Sequence, residues 1–427
     1  MQSRLSRWAM GRRYHCVDAP RTDGPDTYAR PACVIGPRAY EGGNRPSGAL
    51  LADLLREAAL PLNVVRLALA FLVLISHTFP LGGLGVDPPW PTLQPATSLG
   101  GFAVGGFFAL SGMLVAMSAK RNSIARFIWA RLLRIFPAYL AVLVISAAVL
   151  APAIYWDTHR TLLNFVGLDA GGPFRYVAKN IFFPTGMQFG IRDVFLQTTP
   201  YGRLVGASAV NGSLWTLPIE VRCYLVALGV AIAGRRLGAA RTAVGALAIV
   251  GAFIVSRHLA PNVAASLAPK WLPDYVLELG FVFLCGVVAG SVADRLRMTR
   301  TIALGVIVVF LACSAFGGLA FRTVGLGSLA LLLPLLAARV PRDRLRWFRN
   351  DLSYGTYIWA FPIQQSLSHL GLNAFPGVYF LVAAASTLAM AALSWKLIEQ
   401  PALRLKGWRP TANRPPTVLN DVLPPTA

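Results

Sequence analysis

Stretches of about 20 mostly apolar residues recur along this chain of 427 residues, and shorter polar segments separate them. A helix that crosses the hydrocarbon core of a membrane needs roughly 20 such residues. Only 14% of the residues are charged, whereas a soluble domain carries about 25%. The pattern therefore predicts an all-α, polytopic integral membrane protein with about ten transmembrane helices. These lie at roughly 61–80, 99–118, 135–155, 213–233, 242–258, 275–293, 301–320, 323–338, 352–369 and 377–397.

Basic residues are concentrated in the polar segments that follow alternate apolar stretches. A net charge of +22 in a soluble protein would be typical of nucleic-acid binding. Here the clusters match the positive-inside pattern of membrane proteins, so no nucleic-acid partner is expected and both termini are predicted to be cytoplasmic. The clusters are Lys120, Arg121, Arg126, Arg131 and Arg134; Arg235, Arg236 and Arg241; Arg295, Arg297 and Arg300; Arg339, Arg342, Arg344, Arg346 and Arg349; Lys406 and Arg409.

The composition divides the chain into three parts. Residues 1–58 are polar and rich in Arg, Pro and Gly, which predicts a mostly disordered cytoplasmic tail with a short helix around 50–59. Residues 59–405 form the predicted transmembrane domain, and 406–427 a second cytoplasmic tail. The longest loop, 156–212, is too apolar for a plain linker and is expected to lie at the outer interface or to fold back into the bilayer.

The five cysteines give no sign of a metal site or a disulfide framework. Their number is odd and no C-x-x-C pair occurs. No metal cofactor is expected.

Two ionisable residues lie within the first apolar stretch, Arg66 near its start and His77 near its end. Eleven residues at 100° each make about 1100°, within roughly 20° of three full turns, so both side chains project from one helix face about 16 Å apart. An ionisable side chain in a bilayer costs several kcal/mol unless it faces a cavity or a partner. The pair predicts a functional site; the structural alternative is a snorkelling arginine and a histidine bonded to a backbone carbonyl.

A second basic pair, Arg131 and Arg134, lies just before the third apolar stretch. Residues three apart share a helix face, and guanidinium groups bind phosphate oxygens in a bidentate manner. The pair is therefore a candidate anion-binding site at the cytoplasmic boundary. Positive-inside topology with anionic lipid headgroups is the alternative explanation.

A carboxylate, Glu220, follows a proline just inside the outer end of the fourth apolar stretch. It could orient an imidazole, bind a sugar hydroxyl or pair with Arg222. Asp274 and Glu278, one helical turn apart on the outer side of the sixth stretch, are weaker candidates.

Six segments together resemble the membrane acyltransferase family 3, which contains O-antigen and exopolysaccharide O-acetylases. Their order and spacing over about 345 residues carry the resemblance. The sequence departs from the family at Asn63, where Asp is common, and at Ala360, where His is common. The segments are Arg66 with His77, GGFFALSG in the second stretch, Arg131-x-x-Arg134, SLWTLPIE ending at Glu220, LSYGTYIWAFPI from Leu352, and WKLIEQPALR from Trp395.

The resemblance implies transfer of an acyl group, with acetyl expected, from cytoplasmic acyl-CoA to a hydroxyl of a surface glycan or lipid-linked saccharide. Arg66, Arg131 and Arg134 would hold the donor. His77 would act as general base or as nucleophile. Glu220 would orient the acceptor or the imidazole. A bacterial inner membrane location follows.

Two other readings remain open at this point. One is a transporter that uses Arg66 and His77 as a mid-membrane relay. The two halves of the sequence show no obvious symmetry, which speaks against it. The other is a non-catalytic membrane scaffold, which would leave the aligned pair unexplained.

Overall fold

Long helices account for nearly all regular structure in the residues that the computed structural model describes, which are 48–91, 95–181, 186–260, 272–341, 345 and 350–407. Two antiparallel pairs of two-residue strands accompany them, Ala49–Leu50 with Arg297–Met298 and Pro89–Trp90 with Thr97–Ser98. The helices are α1 Leu51–Glu57, α2 Ala59–Gly82, α3 Leu99–Arg121, α4 Ile124–His159, α5 Pro173–Ile181, α6 Pro200–Val205, α7 Gly212–Leu237, α8 Ala239–Leu259, α9 Asp274–Val292, α10 Arg300–Phe316, α11 Gly318–Arg339, α12 Ser353–His369 and α13 Pro376–Gly407.

Eight of these helices are long and apolar enough to cross a membrane, namely α2, α3, α4, α7, α8, α9, α11 and α13. The remaining two predicted spans correspond to α10 and α12, which have 17 residues each. Each predicted apolar stretch therefore coincides with a helix. The prediction of an all-α polytopic membrane protein is confirmed, and its count of about ten includes two short helices.

The helix α4 begins eleven residues before the predicted start of the third span. The reason is local: the Ser123 side chain accepts a hydrogen bond from the Arg126 backbone N–H and caps the helix. Arginine is also a good helix former, so the basic cluster continues the helix instead of ending it. As a result Arg131 and Arg134 are carried on α4 itself. We call the side of the molecule where they and Arg66 lie the basic side.

The predicted boundary at residue 58 falls inside the folded unit. In α1, Leu51, Ala52 and Leu55 are buried, and the backbone N–H of Leu51 donates to the carbonyl of Leu296. These apolar contacts explain why 48–58 packs with the transmembrane helices although its flanking sequence is polar. Residues 1–47 of the predicted tail and 408–427 of the C-terminal one lie outside the described residues.

The long loop between α4 and α7 folds on itself at the end of the bundle that faces away from the basic side. We call this end the opposite side. Its short helices α5 and α6 contribute the buried Tyr176 and Gly202. Arg192 and Asp169 form a bidentate ion pair within it, with N–O distances of 2.5 and 2.7 Å. This internal packing distinguishes the loop from a plain linker, as its composition predicts.

Close packing of α3 against α9 forms the most extensive contact between any two of the described helices. Small residues make it possible: a Cβ at Gly112 would overlap the backbone oxygen of Phe283, and one at Gly286 would overlap that of Ala109. The small residues of the second span therefore allow the two helices to approach closely. α3 is thereby fixed at the centre of the helices that surround the site.

Gly112→Ala should lower the stability of the folded protein by about 1–3 kcal/mol, because backbone atoms of α9 cannot yield to the added methyl group as a side chain could. The measurement is the melting temperature of the purified protein in detergent. Gly229→Ala on α7 is the matched control, since a Cβ there meets nothing within 4 Å. Equal melting temperatures for Gly112→Ala and the wild type would contradict the close-packing argument.

Candidate active site

A cavity of about 280 Å³ lies near the basic side, among α2, α3, α4, α7, α12 and the end of α13. We call it the basic cavity. Four cationic residues but only two carboxylates line it, so its lining carries an excess of positive charge. The charged lining residues are Arg66, Arg131, Arg134, Lys406, Glu220 and Asp351.

Asp351 joins two of these arginines. Its Oδ2 lies 2.5 Å from Arg66 Nη1 and 2.6 Å from Arg134 Nη2, and its Oδ1 accepts hydrogen bonds from the backbone N–H and the hydroxyl of Ser353. Burial opposes ionisation of this carboxyl, but the two guanidinium charges outweigh burial and hold the pKa of Asp351 well below its ordinary value. Asp351 therefore stays ionised and fixes α2 and α4 relative to the start of α12.

Arg131 has no ion-pair partner among the described residues. Its guanidinium carbon lies 5.7 Å from the ring centroid of Tyr224 and 6.0 Å from that of Phe127. Its Nε is buried and makes no hydrogen bond within the described ranges. The side chain is thus held by aromatic rings while its hydrogen-bonding capacity stays available to an anion in the cavity.

Glu220 and Tyr224 occupy the wall of the basic cavity that α7 provides. The Tyr224 hydroxyl donates a hydrogen bond to Glu220 Oε1, and Ser111 of α3 lies 3.5 Å from the same hydroxyl. The Arg222 pairing considered from the sequence is not among the contacts of the described residues. Tyr224 therefore links the two residues: its hydroxyl bonds Glu220 and its ring supports Arg131.

His77 lies further along α2, beyond the basic cavity. Its ring packs edge-on against Phe361 of α12 with ring centroids 5.5 Å apart, and its Nδ1 is buried without a partner among the described residues. Phe361 follows Tyr357 by four residues, or about 6 Å along α12. Tyr357 lines the basic cavity and bonds Thr216 at 2.8 Å. One helical turn of α12 therefore separates the end of the cavity from the imidazole.

The predicted site residues do not all meet in one place. Arg66, Arg131, Arg134 and Glu220 line the same cavity, whereas His77 does not. Of the roles expected for Glu220, orienting the acceptor or the imidazole, both stay predictions; the structure places Glu220 and His77 at different depths. Glu220 is eight residues from the start of α7, about 12 Å, whereas His77 is only five residues from the end of α2.

The two weaker candidates are held in ion pairs. Glu278 accepts two hydrogen bonds of 3.0 Å from Arg322 Nε, and Asp274 lies 2.8 Å from Arg257. Glu278 is buried, so its pairing with Arg322 satisfies a charge that the interior would otherwise penalise. We assign both carboxylates to the structure of the bundle.

Sequence reasoning missed Asp351, the central counter-ion of the basic cavity. The available signal was its position: an acidic residue directly before the LSYGTY segment, in a chain with only 18 acidic residues. Its partners are 285 and 217 residues away, so no local spacing rule could pair them. In the described ranges, no group of three or more His, Cys, Asp or Glu side chains could hold a metal ion.

A bundle of apolar helices, with a cation-lined cavity on one side and a partly buried imidazole beyond it, defines a polytopic membrane protein. A family model described as an acyltransferase domain matches residues 61–395, so the chain belongs to the membrane acyltransferase family 3. The chain is therefore a membrane acyltransferase, an enzyme that transfers acyl groups other than amino-acyl groups.

Two curated relatives are similar over most of their length. An "O-acetyl transferase" of Shigella phage Sf6 is 29% identical over 349 residues, which cover 79% of this chain and 94% of the relative. "Nodulation protein 10" of Rhizobium leguminosarum bv. viciae is 31% identical over 373 residues, 81% of this chain and 93% of the relative. No solved structure matches the chain.

Proposed function

We propose that this enzyme is an O-acyltransferase of the bacterial inner membrane. It moves an acyl group from cytoplasmic acyl-CoA to a hydroxyl of a cell-surface glycan or glycolipid, and acetyl is the acyl group that we expect. Both termini are cytoplasmic in this proposal, so the basic side faces the cytoplasm. One observation carries the proposal: arginines from α2 and α4 converge on one cavity, and His77 follows Arg66 along α2.

The charge of the basic cavity supports an acyl-CoA donor. Arg131 and Lys406 line it without an ion-pair partner among the described residues, and Arg66 and Arg134 share a single carboxylate. Phosphate oxygens suit such guanidinium groups because they accept two parallel hydrogen bonds. The phosphates of the donor would therefore remain at the basic side.

The distance between Arg66 and His77 supports the entry of the donor's acyl arm. Eleven residues of α2 span about 16 Å. An extended pantetheine arm is about 20 Å long, at roughly 3.5 Å per peptide-like unit. A donor anchored at Arg66 would bring its thioester to the level of His77 if the arm passes Tyr357 and Phe361 along α12.

The chemistry at His77 has two forms. As a general base, the imidazole takes the proton of the acceptor hydroxyl while the hydroxyl oxygen bonds to the acyl carbon. The carbon–sulfur bond of the thioester then breaks, and the imidazole passes the proton to the leaving thiolate. As a nucleophile, an imidazole nitrogen first takes the acyl group and releases CoA thiol, and the hydroxyl then displaces the imidazole. In both forms Glu220 helps to position the donor in the basic cavity, together with Tyr224 and the arginines.

The test supplies membranes that contain the protein with acetyl-CoA labelled in the acetyl group. Extracted envelope polysaccharide from cells that lack the protein serves as acceptor. We expect label in the polysaccharide, and expect it to be released by mild alkali as an ester. Label that stays on CoA while a solute crosses the membrane would support a transporter and overturn the proposal.

Arg131→Ala should raise the apparent KM for acetyl-CoA by about ten-fold, because one charge-assisted hydrogen bond to a phosphate is lost. Arg134→Ala should raise it as well, with an added loss of stability because Asp351 loses a partner. Arg121→Ala is the control, since this exposed residue lies on the same side but outside the basic cavity. An unchanged donor KM in both variants would leave these arginines with a role in membrane topology alone.

A further inference from the structure

A second group of side chains lies near His77 at the opposite side, away from the basic cavity. Tyr201 of α6 packs edge-on against Phe361 with ring centroids 5.6 Å apart, and Phe361 packs in turn against His77. Leu81 and Ala209 belong to the same small apolar cluster as Phe361 and Tyr201. α6 is held there because Pro200 packs under the end of α2, where a Cβ on Gly83 would lie 2.9 Å from it.

Asp87 brings a carboxylate to this cluster. It lies in the loop after α2, which folds back against the start of α3. The carbonyl of the next residue, Pro88, accepts a 2.8 Å hydrogen bond from the Leu99 backbone N–H, and the following Gly100 N–H donates to the hydroxyl of Ser76, the residue before His77, at 2.9 Å. Burial raises the pKa of Asp87. Pro200, the residue before Tyr201, lies against Gly83, four residues before Asp87, so the two loops meet at this side. Burial and then the charge of Asp87 raise the pKa of Tyr201.

Two polar atoms near this cluster make no protein hydrogen bond. Asp87 Oδ1 and His77 Nδ1 are both buried and have no partner within the described part of the chain. Buried polar atoms are nearly always paired, so these two can bond a ligand that carries hydroxyl groups. Asp87 and His77 themselves are only partly buried, and the neighbouring Val86 is 78% exposed, so a ligand can approach from that side.

We propose that Asp87 and Tyr201 form the binding subsite for the acceptor, a polyhydroxylated saccharide whose reacting hydroxyl faces His77. Asp87 accepts a hydrogen bond from one sugar hydroxyl, and the Tyr201 hydroxyl bonds a neighbouring one. Phe361 forms the apolar floor between them. The inference rests on the proposed function, because it supplies the second substrate of the same reaction. It also explains why the donor cavity is lined by cations while the opposite side presents a carboxylate.

The test compares Asp87→Asn and Tyr201→Phe with the wild type in the labelled acetyl-CoA assay, with extracted envelope polysaccharide as the titrated acceptor. Each change removes one hydrogen-bonding function and keeps the shape of the side chain. We expect the apparent KM for the polysaccharide to rise about ten-fold in each variant, while the apparent KM for acetyl-CoA stays within about two-fold. Tyr201→Phe keeps its ring against Phe361, so it remains informative if Asp87→Asn folds poorly.

Asp169→Asn is the matched control. This carboxylate also lies on the opposite side, but Arg192 already pairs with it, so both KM values should equal those of the wild type. An unchanged polysaccharide KM in both test variants, or an equal rise in both KM values, would overturn the subsite. Absence of transfer by the wild type would instead overturn the proposed function.

Discussion

We expect His77→Ala to abolish acyl transfer: the transfer rate should fall by at least about hundred-fold, while the protein remains folded in the membrane. A general base or an acyl-carrying nucleophile contributes about that much or more to a rate, and the nearby side chains of Phe361 and Ser76 cannot replace an imidazole. His77 is partly buried and its Nδ1 has no partner within the described residues, so truncation breaks no bond made by that atom. The measurement is label transfer from acetyl-CoA to extracted polysaccharide.

His258→Ala provides the control for His77→Ala. His258 lies at the end of α8, where its Nδ1 is 3.2 Å from the Ile254 carbonyl, and it should tolerate the change with normal transfer. Near-normal transfer by His77→Ala would contradict the mechanism. An acetylated His77 peptide trapped in the absence of acceptor would select the nucleophilic form, and a direct transfer without it would select the general base.

Asp351→Asn has the second large effect, this time on stability. The change removes the carboxylate charge with which Arg66 and Arg134 both form ion pairs, while the amide keeps the shape and can still accept from Ser353. The three side chains are 24, 15 and 11% exposed, so water screens them weakly. Removing one member of a buried ion pair costs about 3–5 kcal/mol. We expect the melting temperature in detergent to fall by roughly 5–10 °C.

A surface carboxylate gives the control for Asp351→Asn. Asp53 pairs with Arg56 one turn away on α1, both largely exposed, and Asp53→Asn should change stability by less than about 1 kcal/mol. Equal losses of stability in the two variants would show that Asp351 stabilises the fold no more than a surface carboxylate does.

The pH dependence gives a second readout for Asp351. Since the folded pKa lies below the unfolded value of about 3.9, its stabilisation is complete above that value and disappears as the pH falls through the folded pKa. The difference in melting temperature between wild type and Asp351→Asn should therefore be constant from pH 7 to about 5 and shrink below about 4. A difference that already shrinks between pH 7 and 5 would contradict the low pKa of Asp351.

Features that depend on the helix period and on span length could be predicted from the sequence. Apolar stretches of near-membrane length specify their helices without help from the rest of the fold, and the shared face of Arg131 and Arg134 follows from the 3.6-residue turn. The alignment of the Arg66 and His77 side chains on one helix face follows from the same helix period. Such arrangements involve only neighbours along the chain.

Features that depend on contacts between distant segments could not be predicted. Asp351 reaches Arg66 and Arg134 only after three helices have packed, and Glu220 faces the arginines because α7 begins eight residues before it. The early start of α4 depends on the Ser123 cap. A hydropathy pattern does not register such a cap, because the arginines that follow it give the segment a low hydropathy. Span boundaries and depth within the bilayer were therefore the weakest part of the sequence reasoning.

The short length of α12 has a consequence for energy. Its 17 residues extend about 26 Å, less than the roughly 30 Å of a typical hydrocarbon core. Polar groups occupy both ends, with Asp351 before the helix and His369 at its last residue, 3.0 Å from Asp157. The apolar thickness beside this helix is thus a few Å less than that of a typical hydrocarbon core. In the proposed reaction this shortens the apolar path of the donor's thioester carbonyl past Tyr357 and Phe361.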